Sequence, residues 1–520
     1  MRPSWPVSLH RPPDMIEGWS GSTPIEAGWL DRHPSNVLMV AVLLVASVAL
    51  GLALALRPAT AVVVVLAVAG GLAVLRRPAF GGYILVGAVP ITSGLRAGFP
   101  VPGLRLSELL IGTISVVILL SANARQTLRW RTFDWLLLAY SAASVVIGGY
   151  ALHHHAVHLT STLIGTLFGP MQFVLLYRAV AISLPLRTQR NMALRLLLLG
   201  SIPVSLLALL QQLRISGINS FLANITGTIV FKSYAYAYFA RATGPFNHWT
   251  PLAGYLLVIL LLAISLLLHG VEGVLSRRAM FGVIGLAAVG LLLSAELSAM
   301  IALVGGSVAL GVWSGRVRFM LRWGLLLIVV LTVAFGSYFV QRLHTEFYQS
   351  AGSGRSVLVP QTLQFRYQVW SQQYIPAIEQ QPFTGYGPVL PRSITWLDTE
   401  SQYVTLLMWG GIPLLVVFLG MMWALFARAR SLARPSGDEP SRWAMARTVA
   451  LLVVALYFIN AIFPYSTSAG LPQALWALVG IMVATQHKVI QLNRPTAEHE
   501  LLDGHEVLDE YELVTTRKVP

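Results

Sequence analysis

No cysteine occurs among the 520 residues of the chain. This excludes a disulfide framework and any thiolate metal site, and leaves the redox compartment open. Charge is also scarce: Asp, Glu, Lys and Arg together make up only 11% of the sequence. Acid is the scarcer sign, with 21 acidic against 36 basic residues and a formal net charge of +15. The apolar runs are solid and do not alternate with period two, which excludes a transmembrane barrel. A nucleic-acid-binding protein would gather its basic residues on one soluble face; here they are scattered among short loops, so no nucleic-acid partner is expected. No internal repeat is evident and the informative polar residues lie in loops outside the spans, which argues against a transporter, including a flippase of lipid-linked oligosaccharide. Met1 to Pro34 is polar and proline-rich, so no secretory leader is expected there.

Apolar side chains supply what is left. The chain is 56% hydrophobic with a mean hydropathy of +0.68, and apolar runs of about 20 residues recur from end to end, the length a helix needs to cross a bilayer. The expected fold is all-α, a polytopic transmembrane helical bundle of about 12–14 spans within 36–487, between a cytoplasmic N-terminal segment 1–35 and a polar cytoplasmic tail 488–520. The spans fall near 36–56, 59–75, 79–93, 104–121, 133–152, 159–183, 192–212, 251–268, 279–294, 297–313, 323–340, 402–426, 444–463 and 470–486.

Loop charge orients them by the positive-inside rule. With the N-terminus cytoplasmic, the inner loops receive Arg76 and Arg77, Arg125 to Arg131, Arg187 to Arg195, Arg277 and Arg278, Arg316 to Arg322, and Arg428 to Arg447. Both termini are then cytoplasmic, and two substantial loops, near 213–250 and 341–401, face the other side.

Those two loops hold the unusual residues. One carries RATGPFNHWTPLAGYLL, beginning at Arg241. The other carries Arg342, Arg355, Arg366 and Arg392 among Tyr348, Phe365, Tyr367, Trp370, Tyr374, Tyr386 and Trp396. Arginine outside runs against the charge bias and asks for a reason; an anionic ligand such as a diphosphate, gripped by guanidinium forks, supplies one. Ordinary surface arginines on a self-packed loop are the plainer alternative.

Glu296 lies inside an apolar run from Ala279 to Trp313, roughly 52 Å long as a single helix. Both ends of that run carry cytoplasmic arginines, so the chain must turn near SAELS. Glu296 thereby avoids the cost of about 2.5–3.5 kcal/mol for a carboxylate at the bilayer centre, and either caps the following helix or faces the outer cavity.

His153, His154, His155 and His158 lack the convergent spacing and carboxylate or thiolate help of a zinc site; no metal and no cofactor are expected. The GYG at 385–387 lacks a pore-helix context and reads as a turn. Gly410–Gly411 suggests close helix approach, and Trp409 and Trp423 read as interfacial anchors or helix packing.

The two polar segments together resemble the O-antigen ligase and polymerase superfamily of bacterial membrane glycosyltransferases. Arg241 with its GPFNHWTP turn fits the first signature, and Arg366, Trp370, PFTGYG and ESQYVTLLMWGGIP fill the second in order. LRLSELLI at 104–111 and FGPMQFVLLYRAVA at 168–181 are also similar, so the resemblance covers roughly 80–430.

The resemblance implies metal-independent glycan transfer from an isoprenoid-diphosphate carrier to an acceptor hydroxyl, at the extracytoplasmic face of the bacterial inner membrane. Implied partners are the carrier-linked glycan, the lipid bilayer and other polysaccharide-assembly membrane proteins. Arg241 and Arg366 would hold the diphosphate, with Arg105 and Arg392 as further guanidinium groups. Glu400 would take the acceptor's proton or, alternatively, cap the next helix. His248 would orient acceptor or phosphate, and Trp370 and Tyr403 would stack on sugar or pack the loop. The ligase branch carries His where Glu400 stands, and the hairpin tip lacks the arginine found in relatives; the carboxylate tilts the reading toward a polymerase over a ligase.

Overall fold

The computed structural model describes residues 69–96, 105–121, 130–228, 240–347, 360–434 and 439–486, all within a unit that begins at Ala69. The expected N-terminal segment, the first span, most of the second and the polar tail lie outside the described residues, as do Arg355 and Tyr348.

The protein is an all-α polytopic bundle. After a helical stretch at 69–76 come α1 (Pro78–Gly87), α2 (Val89–Thr92), α3 (Leu106–Leu120), α4 (Thr132–His154), α5 (Ser161–Phe168), α6 (Met171–Ser183), α7 (Arg187–Leu199), α8 (Ser201–Gln212) and α9 (Ile218–Thr226). The second half contains α10 (Trp249–Leu268), α11 (Arg277–Ser294), α12 (Leu297–Trp313), α13 (Val317–Phe347), α14 (Gln361–Val369), a π turn at Trp370–Tyr374, α15 (Ile375–Gln380), α16 (Gln402–Leu432), α17 (Pro440–Ile459) and α18 (Leu471–Ala484).

Among the described residues seven helices are long and apolar enough to cross a membrane, α7 and α8 together forming one of them. The bent pair α5–α6 makes an eighth, and α1, α3, α12 and α18 are shorter apolar helices. The expected straight span over 159–183 is therefore a broken one, bent by 52° at Gly169–Pro170, where proline removes a ladder donor.

Hydropathy all round a helix predicts burial on all sides, and α10 is the case in point: 89% of its apolar window is buried. It packs against α11, α12, α17 and α18. The opposite extreme is α13, also strongly apolar, with none of its window buried. Such a surface fits hydrocarbon on most sides, and its span from Val317 to His344 is long enough, roughly 42 Å, to carry Tyr338 and Arg342 past the core of a bilayer. The chain does turn inside the long apolar run: Ala295 takes a left-handed conformation (φ 51°) between α11 and α12.

The helices are polarised end to end. At one end Asp134 pairs with Arg178 at 3.2 Å, Arg190 with Glu439 at 2.6 Å, and Arg447 Nη1 reaches His269 Nε2 at 2.7 Å. Arg195 donates to the Gly273 and Val274 carbonyls of the same end. At the other end of α4, α10, α16 and α17 lie the segments singled out from sequence.

Candidate active site

Arg241 enters on a segment laced to the α11–α12 hairpin. Ala242 N–H donates to the Leu293 carbonyl at 3.0 Å, and Tyr338 of α13 donates its hydroxyl toward both Ala240 and Leu293 carbonyls at 2.9 Å. Arg342, one turn further along α13, reaches the Ala295 carbonyl. Gln211 secures the following turn, its amide oxygen accepting from Thr243 N–H at 3.0 Å and Gly244 N–H at 2.7 Å. Arg241 itself lies over the ring of Trp249, 4.6 Å from its centroid. That contact suits a guanidinium better than an ammonium.

His248 is the residue before α10. Its ring stacks on Phe463 (5.7 Å, 6° between planes) and touches Trp249. Nδ1 lies 3.1 Å from Thr250 Oγ1. Burial, reinforced by the Arg241 charge, lowers its pKa far below the usual imidazole range, so the ring is neutral near pH 7.

Thr250 donates its hydroxyl to Glu296 Oε2 at 3.2 Å, and Ser298 donates to Glu296 Oε1 at 2.8 Å. Ser298 in turn shares a 2.8 Å bond with the Tyr465 hydroxyl. Glu296 thus occupies the N-cap position of α12 without capping it: its carboxylate takes side-chain hydroxyls, not backbone N–H groups. This corrects the capping alternative.

Glu400 is the second carboxylate. Its Oε2 accepts from Arg366 Nη2 at 2.9 Å and Nε at 3.2 Å, and the pair is about four-fifths buried. Ser401, not Glu400, is the N-cap of α16, so helix capping does not explain Glu400 either. Burial raises its pKa; Arg366 pulls the other way, and the charges of Asp398 and Glu296 push up again. Glu400 and Glu296 therefore share one electrostatic neighbourhood, which Tyr465 joins, its phenol raised by burial and by Glu296. The backbone of Glu400 is left-handed (φ 53°), a conformation costly for a residue with a Cβ.

The strap that carries Glu400 is held from below. Trp370 donates its indole N–H to the Thr399 carbonyl at 2.7 Å, and Tyr374 donates to the Trp396 carbonyl at 2.7 Å, both from the π turn, a distortion frequent near functional sites. Tyr403 donates to the Tyr457 carbonyl at 2.6 Å. The polar ends of Trp370 and Tyr403 are thus engaged inside the protein, as the loop-packing alternative expects.

The PFTGYG turn docks on a break in α16, where Gly410 and Gly411 leave helical geometry. Tyr386 N–H donates to the Met408 carbonyl, Gly387 N–H to that of Trp409, and Ile412 N–H to that of Pro382, so the freed backbone groups are satisfied. The glycine pair admits a loop rather than the helix expected. His155 stacks on Tyr386 at 5.0 Å, placing the histidine cluster against this turn.

The structure thus gathers Arg241, His248, Arg366 and Glu400 around Glu296. It does not join Arg105 or Arg392 to them through any contact among the described residues: Arg105 begins α3, its backbone N–H donating to Glu108 at 2.9 Å, and Arg392 is exposed. Sequence reasoning missed Thr250, Ser298 and the Phe463–Tyr465 wall. The signal was there in FPYSTSAG, a polar and aromatic run between two apolar helices.

Fold and site define a multi-pass membrane protein with an arginine–glutamate pair, a second arginine and a second glutamate gathered at one end of its helices. The O-antigen ligase family model matches residues 282–419. The match supports the O-antigen ligase and polymerase superfamily and, in general terms, glycan transfer of the ligase or polymerase type. Glu296, Arg366 and Glu400 lie inside the matched stretch; Arg241 and His248 precede it. No curated protein matches the chain.

Proposed function

We propose that the chain transfers a glycan from an isoprenoid-diphosphate carrier to a hydroxyl of an acceptor glycan, at the extracytoplasmic face of the bacterial cytoplasmic membrane, and that its product is a polysaccharide. The observation that carries this reading is the Arg366–Glu400 pair, linked through Glu296 and His248 to Arg241. Two guanidinium groups and a carboxylate of raised pKa are what this reaction needs.

In the transfer the acceptor oxygen forms a bond to the anomeric carbon while the bond from that carbon to the phosphate oxygen breaks. The electron pair leaves on the diphosphate, and the hydroxyl proton passes to Glu400. Arg241 and Arg366 neutralise charge as it develops on the leaving group. Arg366 directs two of its five N–H groups at Glu400 Oε2, which leaves donors for a phosphate oxygen. An arriving diphosphate weakens the hold of Arg366 on Glu400 and so releases the base when the donor is in place. The raised pKa brings the carboxyl nearer the working pH, where a general base is most effective.

The test uses purified protein in liposomes with radiolabelled lipid-linked repeat units. Arg241→Lys, which loses the fork, and Glu400→Gln, which loses the base, should each lower the formation of lengthened product by about 10²-fold or more. Undiminished turnover in both variants would refute the reading, and labelled substrate carried across the bilayer without lengthening would make the protein a transporter. Product formed only on a lipid-core, protein or wall acceptor would make it a ligase.

A further inference from the structure

We propose that Glu296 and Thr250 are positioning residues that act through His248: the threonine hydroxyl donates a hydrogen bond to the carboxylate, its oxygen accepts one from Nδ1–H, and Nε2 is left as a hydrogen-bond acceptor for a hydroxyl of the acceptor glycan. The inference rests on the glycan-transfer reading above and adds to it the group that receives the acceptor.

Two contacts compete for Nδ1. The backbone N–H of Thr250 lies 3.3 Å away and can only donate, which would put the ring proton on Nε2. The Thr250 hydroxyl oxygen lies closer, at 3.1 Å, and has a single proton to give. That proton has a carboxylate to go to, Glu296 Oε2 at 3.2 Å. A hydrogen bond to an ionised acceptor is roughly twice as strong as a neutral one, so the hydroxyl turns to Glu296 and its oxygen accepts from Nδ1. Which ring nitrogen of a histidine carries the proton is set in this way by the partner of the other nitrogen.

The chain is held at every link. Thr250 is fully buried. The second oxygen of Glu296 is fixed by Ser298, and Ser298 by Tyr465. The imidazole stacks on Phe463 and touches Trp249, and Nε2 makes no hydrogen bond among the described residues. Burial and the neighbouring Arg241 keep the ring neutral, so Nε2 carries a lone pair rather than a second proton. A lone pair faces a hydroxyl favourably and a phosphate oxygen unfavourably, which assigns His248 to the acceptor and leaves the diphosphate to the arginines.

The tautomer is the direct readout. In purified protein labelled with 15N-histidine, the signal missing from His248→Gln identifies His248; the wild type should show it protonated on Nδ1, and Glu296→Gln should move the proton to Nε2. Turnover of lipid-linked repeat units should fall about tenfold or more in Glu296→Gln and Thr250→Val, with Thr250→Ser recovering most of the loss. In a His248→Gln background the Thr250→Val change should cost nothing further. A wild-type ring protonated on Nε2, or equal Thr250→Val losses with and without His248, would overturn the inference while leaving the glycan-transfer reading intact. That reading is tested separately, by the turnover of Arg241→Lys and Glu400→Gln.

Discussion

At the residue scale, the cost of the site is concentrated in Glu400. A glutamate at φ 53° pays for a backbone that glycine adopts freely. Its carboxyl is moreover buried close to two other acids, with Arg366 as the compensating charge. Stability and function should separate here. Glu400→Gly should be more stable than Glu400→Gln by about 1 kcal/mol, since both lose the ion pair and only glycine relieves the backbone. Both should be inactive. Thermal unfolding of the two variants in the same detergent checks this, and a glycine variant less stable than the glutamine variant would show that the conformation carries no strain.

At the element scale, α16 is the part of the fold whose sequence was most readily misread. The run from Gln402 to Leu432 has one continuous apolar signature, and nothing in its periodicity marks a break at Gly410–Gly411. The break becomes visible only with the PFTGYG turn in place. A Cβ on Gly411 would stand 2.4 Å from the Pro382 carbonyl oxygen and 2.6 Å from the Phe383 carbonyl carbon. Gly411→Ala should therefore destabilise the protein by roughly 2–4 kcal/mol and displace the loop leading to Glu400. Gly420→Ala, with open space around its Cβ, should stay within about 1 kcal/mol of the wild type. Equal unfolding temperatures for the two variants would mean the turn does not dock.

Sequence legibility follows the range of the forces involved. Burial in hydrocarbon acts on every residue of a span, so the helices were readable, and Arg241, Arg366, His248 and Glu400 stood out against them as polar residues at helix entrances. The Thr250–Glu296–Ser298–Tyr465 hydrogen bonds join three distant segments, and no local pattern encodes such a meeting. Loop packing by Trp370 and Tyr403 was legible but their partners were not, because a bond to a backbone carbonyl across 29 or 54 residues leaves no trace in residue type.

At the scale of the whole molecule, charge is sorted along the helix axes. From the site, α10 runs to His269 and its partner Arg447, and α16 runs to Arg428, while α17 returns from Glu439, paired to Arg190, to Asn460 beside Ser401. A bilayer at negative interior potential, with the translocation bias against Lys and Arg, is expected to hold such a molecule with its arginine-rich end inward. On that expectation the site would face outward, with Arg366 held by Glu400 and Arg241 by the face of Trp249. The absence of native cysteine makes this directly measurable. Leu397→Cys, 74% exposed beside the site, should react with a membrane-impermeant maleimide in intact spheroplasts. Glu272→Cys, exposed in the turn between α10 and α11 at the other end, should react only after permeabilisation. The reverse pattern would turn the site toward the cytoplasm, where a carrier-linked glycan already translocated could not reach it.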